Sequence, residues 1–136
     1  MNTGIKFYYR ERCISSLKAR DWFKSHNLIV QHLDLMDISQ KDLLHLVSLT
    51  EIGLEEILKN KGRFNRKFLE RNFQFSNKSL VESLSFLETH TEFLRSPIIL
   101  SEDKYMLGFN TEEIRQFLPP IYRELERAGG YSFLLS

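Results

Sequence analysis

The sequence has a single cysteine, Cys13, in 136 residues, which excludes a framework of internal disulfide bonds. Its net charge is only +1, so no overall field favours nucleic acid or a membrane surface. The longest apolar runs are a few residues long, too short for a membrane-spanning helix, and charged residues interrupt the N-terminal stretch that a signal peptide would need. We therefore expect a reduced, cytoplasmic protein without membrane association.

Signals for metals and cofactors are also missing. The four histidines are scattered along the chain without the spacing of metal ligands. The sequence contains no glycine-rich phosphate loop and no convincing serine–histidine–aspartate arrangement. We therefore expect neither a metal nor a cofactor, and any chemistry must depend on side chains such as the one thiol.

What the sequence does contain is the composition and periodicity of a folded domain. Apolar residues make up 42% of the chain and charged residues 27%, which is ordinary for a soluble globular protein. Alternating apolar residues predict strands over about 4–9 and 28–34 with a helix between them, and such a unit implies parallel strands. Capping-type starts at Ser39 and Ser79 predict two later helices.

The C-terminal third predicts a hairpin and a final helix. Pro97 precedes an apolar strand, residues 101–104 form a turn, and residues 105–109 return as a second strand. Asn110 is predicted to cap a last helix, and Pro119 and Pro120 are expected to stop that helix. The element order predicts an α/β fold, with a thioredoxin-like, mixed four-stranded sheet and an all-helical insertion.

These elements predict one domain over residues 1–120. Its thioredoxin-like halves lie at about 1–38 and 91–120, and the helical insertion lies at about 39–90. Residues 121–136 are expected to form a C-terminal tail.

Cys13 lies where the first strand turns into the first helix. A thiol at a helix N-terminus is stabilised as the thiolate by the helix dipole, and Arg10 and Arg12 would act in the same direction. Redox domains often carry a second cysteine three residues later, but that position is Ser16. In a thioredoxin-like plan, Pro97 would form a cis peptide bond facing the thiol. The alternative is that Cys13 is simply a small buried residue and Ser16 a helix cap.

Residues 59–78 differ in composition from the rest of the chain. They hold seven lysines and arginines against one acidic residue, with four phenylalanines interleaved. The basic residues are either a solvated face or weak, salt-sensitive contacts to DNA phosphates. We expect the phenylalanines to be core residues rather than platforms for stacking bases.

Five segments, taken in order and with their spacing, resemble the Spx branch of the arsenate-reductase-like (ArsC) proteins across nearly the whole chain. They are Cys13-Ile14-Ser15-Ser16, Lys18-Ala19-Arg20-Asp21-Trp22, Leu49-Thr50-Glu51-Ile52-Gly53, Leu94-Arg95-Ser96-Pro97-Ile98-Ile99, and the stretch from Gly108 to Pro119. Each segment alone is a weak signal, and the ordered set is specific.

The resemblance implies a non-enzymatic transcriptional regulator for oxidative and thiol stress, which binds the C-terminal domain of the RNA polymerase α subunit. Gly53 matches the family glycine at that interface, and Arg95, Lys61 and Arg63 are expected to support it. Promoter DNA beside the α subunit is a further expected contact. Family members are typically degraded by the ClpXP protease, although the apolar C-terminal end matches the family tail poorly.

Two positions depart from the Spx pattern. Cys13 matches the first cysteine of the family's redox pair, but the second falls on Ser16, so the chain cannot form the intramolecular disulfide. The family arginine before the proline falls on Ser96, with Arg95 one place earlier. Oxidation of a lone thiol would stop at sulfenic acid or a mixed disulfide. A member that has lost redox control and acts constitutively is a further alternative.

The sister family gives the alternative function, a glutaredoxin- or thioredoxin-coupled arsenate reductase with Cys13 as its catalytic residue. Such a site resembles a cradle of three arginines, because guanidinium groups fork onto oxyanions. Lys61 and Arg63 are available at one position, but the other two fall on Ser96 and Phe109. This weighs against arsenate reduction. For Gly53, the alternative to a partner contact is a C-cap that ends the preceding helix.

Overall fold

The computed structural model describes residues 2–59 and 78–127, without the side chains of residues 2, 123 and 125–127. Five α-helices and four strands lie in these ranges. In chain order they are β1 (Asn2–Tyr9), α1 (Ile14–Ser25), β2 (Ile29–Asp34), α2 (Gln40–Leu49), α3 (Leu54–Ile57), α4 (Leu80–Thr89), β3 (Ile98–Leu100), β4 (Tyr105–Leu107) and α5 (Pro120–Arg127). Short 3-10 helices lie at Leu35–Asp37, Thr91–Phe93 and Glu113–Phe117.

The strands form a mixed four-stranded sheet in the order β2-β1-β3-β4. β1 and β2 are parallel, whereas β1–β3 and β3–β4 are antiparallel. Phe7 is paired with His32 on one side and with Ile99 on the other, so β1 is central. The predicted β-α-β start and the C-terminal hairpin are both confirmed.

The period of two in β1 divides the core between the two faces of the sheet. Phe7 points to the face covered by α1 and α5, where Phe23 and Tyr122 are buried. Tyr8 points to the opposite face, which α2 and α4 cover through residues such as Leu43 and Leu87. Helices on both faces of one sheet give a three-layer α/β/α arrangement.

The predicted helix caps are present. Ser39 Oγ accepts a hydrogen bond from the backbone N–H of Asp42 at 3.0 Å, and Ser79 Oγ accepts one from Glu82 at 3.2 Å. Each bond satisfies a donor that the first turn of a helix leaves free. These two caps define where the helices over the second face of the sheet begin.

The C-terminal elements differ from the prediction. The helix expected after Asn110 is a 3-10 helix at Glu113–Phe117. The proline pair does not open a tail, because Pro120 is the first residue of α5 and Tyr122 is buried to 6% exposure. Proline is well suited to the first position of a helix, where its missing N–H would have no partner. The predicted tail is therefore corrected over residues 121–127, and residues 128–136 lie outside the described residues.

The insertion is described only in part. α2, α3 and α4 belong to it, as predicted. Lys61, Arg63 and most of the basic segment lie outside the described residues. No helix in the ranges 2–59 and 78–127 is long and apolar enough to cross a membrane.

Candidate functional site

Cys13 is the N-cap residue of α1, directly after the turn that follows β1. Its backbone N–H donates to the carbonyl of Arg10 at 3.2 Å, and its own carbonyl accepts from Leu17 at 3.1 Å. The side chain is half-buried. The strand-to-helix position predicted from the sequence is therefore confirmed.

The loop before β3 faces this thiol. The Ser96–Pro97 peptide bond is cis, as predicted, and the Ser96 carbonyl lies 3.8 Å from Cys13 Sγ. Ser16 Oγ is 3.2 Å from Ser96 Oγ and accepts the backbone N–H of Arg10 at 3.1 Å. At 3% exposure, Ser16 is a buried link between the two loops rather than the cap of α1. We call Arg10, Cys13, Ser16 and Ser96 the thiol site.

The thiol site favours the thiolate. Burial of Cys13 would raise its pKa, but hydrogen bonds from Ser96 and Ser16, with the backbone N–H groups of Ser16 and Ser15, outweigh burial. The net result is a pKa below the ordinary value for cysteine. A thiolate is the nucleophilic and oxidisable form, so this geometry is suited to a reactive thiol.

Arg10 and Arg12 were expected to stabilise the thiolate, but serine hydrogen bonds, and not an arginine, lower the pKa of Cys13. The Arg10 guanidinium donates to the backbone carbonyls of Thr91 and Leu94, the second at 3.5 Å. It therefore ties the loop after β1 to the segment before β3. Burial lowers the pKa of Arg10, whereas the nearby charge of Cys13 acts in the opposite direction.

The arginines do not form an oxyanion cradle in the described part of the chain. The Arg95 guanidinium donates to the carbonyls of Glu56 at 3.4 Å and Leu107 at 3.2 Å. Ser96, and not an arginine, faces Cys13. Arg95 is committed to backbone carbonyls, which suits a positioning role better than anion binding.

A pocket of about 450 Å³ opens beside the thiol site, between α1 and the edge strand β2. Its walls include Tyr9, Arg10, Ser16, Arg20 and His32. No motif in the sequence predicts this pocket. The available signal was the parallel β1–β2 pair, because ligand crevices in such sheets lie at the carboxyl ends of the strands.

Gly53 lies on a different part of the surface, at the start of α3. Thr50 is the C-cap of α2, so the alternative reading of Gly53 as that C-cap is wrong. Gly53 has φ of +88°, a conformation that favours glycine, and no described atom lies within 4 Å of an ideal Cβ built there. Its N–H donates to Thr50 Oγ1 at 3.0 Å.

The neighbours of Gly53 are exposed. The Ile52 side chain is 71% exposed, and the Glu51 and Glu55 side chains are also exposed. We call Glu51, Ile52, Gly53 and Glu55 the Gly53 surface.

Backbone hydrogen bonds attach α3 to the segment that precedes the thiol site. The N–H of Lys59 donates to Phe93 at 2.7 Å, and the N–H of Arg95 donates to Ile57 at 3.0 Å. Leu58 and Leu94 form an antiparallel bridge between these bonds. One short segment, residues 93–96, therefore contacts α3 at one end and Cys13 at the other.

A second attachment comes from β4. The Tyr105 hydroxyl donates to the Glu56 carboxylate. This bond, together with burial and the charges of Glu56, Glu51 and Glu113, raises the pKa of Tyr105 to about 12. No pattern in the sequence indicates this pair, whose two residues are 49 positions apart.

Metal ligands do not converge in the part of the chain that the structure describes. No group of three histidine, cysteine, aspartate or glutamate side chains there could hold a metal ion.

Comparison with known proteins gives relatives along nearly the whole chain. The ArsC family model matches residues 8–117. The global transcriptional regulator Spx of Streptococcus pneumoniae (strain ATCC BAA-255 / R6) is 33% identical over 90% of this chain and 91% of its own length. The global transcriptional regulator Spx 1 of Lactococcus lactis subsp. lactis is 34% identical over 90% of this chain and 94% of its own length.

Solved structures share the fold at lower sequence identity. An ArsC-family-related protein from Bacteroides fragilis gives a TM-score of 0.69 at 18% identity, covering 85% of this chain and 98% of its own. An arsenate reductase from Vibrio cholerae gives 0.67 at 17% identity, covering 87% and 98%. These likenesses confirm the predicted thioredoxin-like, ArsC-type α/β fold. With the family match and the Spx relatives, they show that this chain belongs to the ArsC family, in its Spx branch.

Proposed function

We propose that this protein is a cytoplasmic transcriptional regulator that binds the C-terminal domain of the RNA polymerase α subunit. The observation that supports the proposal best is the 33–34% identity to Spx regulators along 90% of the chain. The Gly53 surface fits this function because its glycine is open and its neighbours are exposed. A partner's backbone can approach a glycine closely where a side chain would prevent it.

The experiment is a calorimetric titration of the full chain with the isolated α domain. We expect the wild type to bind and Gly53→Arg to bind at least about 100-fold more weakly, since an arginine adds bulk at a closely packed contact. Gly53→Ala serves as the matched control, because it brings the strain of positive φ with little bulk. Absence of wild-type binding, or equal binding by Gly53→Arg, would contradict the proposal.

Cys13 would add redox sensitivity without a disulfide. The thiolate-favouring hydrogen bonds support oxidation to sulfenic acid or to a mixed disulfide with a small thiol. The bonds from residues 93–96 to α3 give such a modification a route to the Gly53 surface. Repeating the titration with oxidant-treated wild type and Cys13→Ser tests this part. Identical binding in all states would favour a constitutive regulator.

Two further contacts belong to the same proposal. The basic segment at 59–78 would bind promoter DNA phosphates beside the α subunit, with the strong salt dependence of such contacts. Degradation by ClpXP would limit the amount of the protein. Lys61 and Arg63 are the first residues to substitute in a DNA-binding test, while Arg95 is proposed to position α3 and not to touch the partner.

The second candidate function is a thiol-dependent arsenate reductase. One observation favours it: Cys13 is a half-buried thiol with a lowered pKa, facing a cis-proline loop. Ser96 and Phe109 at the expected arginine positions weigh against it. The test is arsenate turnover with glutaredoxin or thioredoxin. Turnover by the wild type that is lost in Cys13→Ser would make arsenate reduction the preferred function.

A further inference from the structure

The pocket beside the thiol site lies where α1 starts to cross the sheet. α1 connects the parallel strands β1 and β2, so it begins at the carboxyl end of β1. The helix packs on the sheet through Ala19 and Phe23, which are buried, whereas Ser16, Leu17 and Arg20 line the pocket. Open α/β sheets commonly bind ligands at this edge. A volume of about 450 Å³ is also within the range of small-molecule sites, about 300–1,000 Å³.

The sheet side of the pocket is aromatic. Phe7 and Tyr9 point to the same face of β1, and His32 is the partner of Phe7 on β2. The Phe7 ring centroid lies 5.9 Å from that of Tyr9 and 5.5 Å from that of His32, so the three rings form one continuous surface. Leu17 lines the helix side. A planar ring between these walls would exchange contact with water for contact with aromatic and apolar groups.

Polar groups that the fold leaves available line the same pocket. The Tyr9 hydroxyl and the His32 ring make no hydrogen bond within residues 2–59 and 78–127. The Arg20 guanidinium has a 3.9 Å contact with Asp21, but both side chains are more than half exposed, so this pair contributes little. Arg10, in contrast, is bonded to two backbone carbonyls. Among the described lining residues, Arg20 is therefore the arginine whose donors a ligand can use.

The charges around the pocket favour a ligand with one negative charge. Arg10 and Arg20 are positive and Glu11 is negative, which leaves an excess of one positive charge. Arg20 lies one turn of α1 after Ser16, about 6 Å further from the loop that holds Arg10 and Glu11. A carboxylate at Arg20 can accept two hydrogen bonds from the guanidinium fork, away from Glu11. A second negative group would meet the end of the pocket where the Arg10 and Glu11 charges oppose each other.

We propose that this pocket binds a small aromatic carboxylic acid. Its ring lies on the surface formed by Phe7, Tyr9 and His32. Its carboxylate accepts the hydrogen bonds of the Arg20 guanidinium. This binding is independent of the proposed polymerase contact, because the pocket lies on a different part of the molecule from the Gly53 surface.

The test is an NMR titration of the full, ¹⁵N-labelled chain with benzoate, which has one planar ring and one carboxylate. We expect a dissociation constant on the order of 1 mM, as for a ligand of this size, with the largest amide shifts at the lining residues of the pocket. Benzamide has the same shape without the charge and should bind about 10-fold more weakly. Phenyl phosphate, which approaches two negative charges at pH 7, should bind no more tightly than benzoate.

Three variants test the two walls. Arg20→Gln should weaken benzoate binding about 10-fold and leave benzamide binding unchanged, because it removes only the charged donor. His32→Leu should weaken the binding of both compounds about threefold, because it removes one ring of the aromatic surface. Lys24→Gln is the matched control, since Lys24 lies one turn after Arg20 on α1 and does not line the pocket. All three positions are exposed, so the variants should keep the stability of the wild type.

Each part of the proposal can fail separately. The site is wrong if benzoate up to about 50 mM causes no shifts at the pocket, or if the shifts are centred on another surface. Equal binding of benzoate and benzamide, or equal effects of Arg20→Gln and Lys24→Gln, would overturn the pairing of the carboxylate with Arg20. Tighter binding of phenyl phosphate than of benzoate would replace the carboxylate by a phosphate ester and so contradict the assigned ligand class.

Discussion

The thiol site and the Gly53 surface differ in where their polar groups find partners. In the thiol site, Ser16 and Arg10 are bonded to groups of the same chain. On the Gly53 surface, Ile52 and its neighbouring carboxylates face solvent. The first arrangement stabilises the fold and tunes one thiol, whereas the second is available to a partner. Substitutions in the two regions should therefore affect different measurements.

The difference also separates the two candidate functions. An arsenate site needs free guanidinium groups around the thiol, but Arg10 and Arg95 both donate to backbone carbonyls. A binding protein needs exposed, rigidly held side chains, which the Gly53 surface has. Among the described residues, the bonds of Arg10 and Arg95 to carbonyls therefore weigh against an oxyanion site at Cys13, and the exposed Gly53 surface fits the proposed regulator.

The largest effect is expected from breaking the Arg10 contacts within the thiol site. Arg10→Ala removes the charged donor from the carbonyls of Thr91 and Leu94, and we expect the free energy of unfolding to fall by about 2 kcal/mol. Chemical denaturation measures this change. Arg12→Ala is the control, because Arg12 is exposed and its loss should cost less than about 0.5 kcal/mol. An equal decrease in the free energy of unfolding for Arg10→Ala and Arg12→Ala would show that the Arg10 contacts do not stabilise the fold.

A smaller effect is expected at Tyr105, whose hydroxyl holds α3 next to the Gly53 surface. Tyr105→Phe removes the hydrogen bond to Glu56, and we expect a loss of about 1 kcal/mol in unfolding free energy at pH 7. The folded-state pKa of Tyr105 is raised to about 12, above its ordinary value of 10.0. Its stabilisation is therefore fully present below pH 10 and is lost as the pH rises towards 12.

The pH dependence of the unfolding free energy tests whether the effect of Tyr105→Phe comes from the hydroxyl. The stability difference between wild type and Tyr105→Phe should narrow between pH 10 and pH 12. Tyr9→Phe is the matched control, since the Tyr9 hydroxyl has no hydrogen-bond partner among the described residues. A Tyr105 difference that stays constant up to pH 12 would contradict the proposed bond.

Local signals in the sequence were enough for the sheet and the helix starts. The alternation in β1 and the capping serines Ser39 and Ser79 act over a few residues, so they could be predicted directly. The helix α5 was missed because Pro120 was taken as a stop, although proline also suits a first helical position. Only the burial of Tyr122 against the sheet decides between these two meanings.

The candidate site could be predicted only where it is local. The position of Cys13 followed from the strand-to-helix turn. The contact of Ser16 with Ser96 joins residues 80 positions apart, and no spacing in the sequence indicates it. The bonds of the Arg95 guanidinium to the carbonyls of Glu56 and Leu107 likewise join residues 39 and 12 positions apart, and no spacing indicates them. A residue's type does not show which of its possible partners the fold supplies.

The smallest effect is expected at the thiol itself. Ser16→Ala removes one of the hydrogen bonds that lower the pKa of Cys13, so the thiolate fraction at neutral pH should decrease. We expect the rate of alkylation by iodoacetamide at pH 7 to fall about threefold, as for a weak hydrogen bond at a half-buried group, and the pH–rate profile to move to higher pH. Ser15→Ala is the control, because Ser15 acts on the thiol through its backbone N–H, which alanine keeps. An unchanged rate in Ser16→Ala would mean that Ser16 links the two loops without tuning the thiol, and the thiol site would then be purely structural at this position.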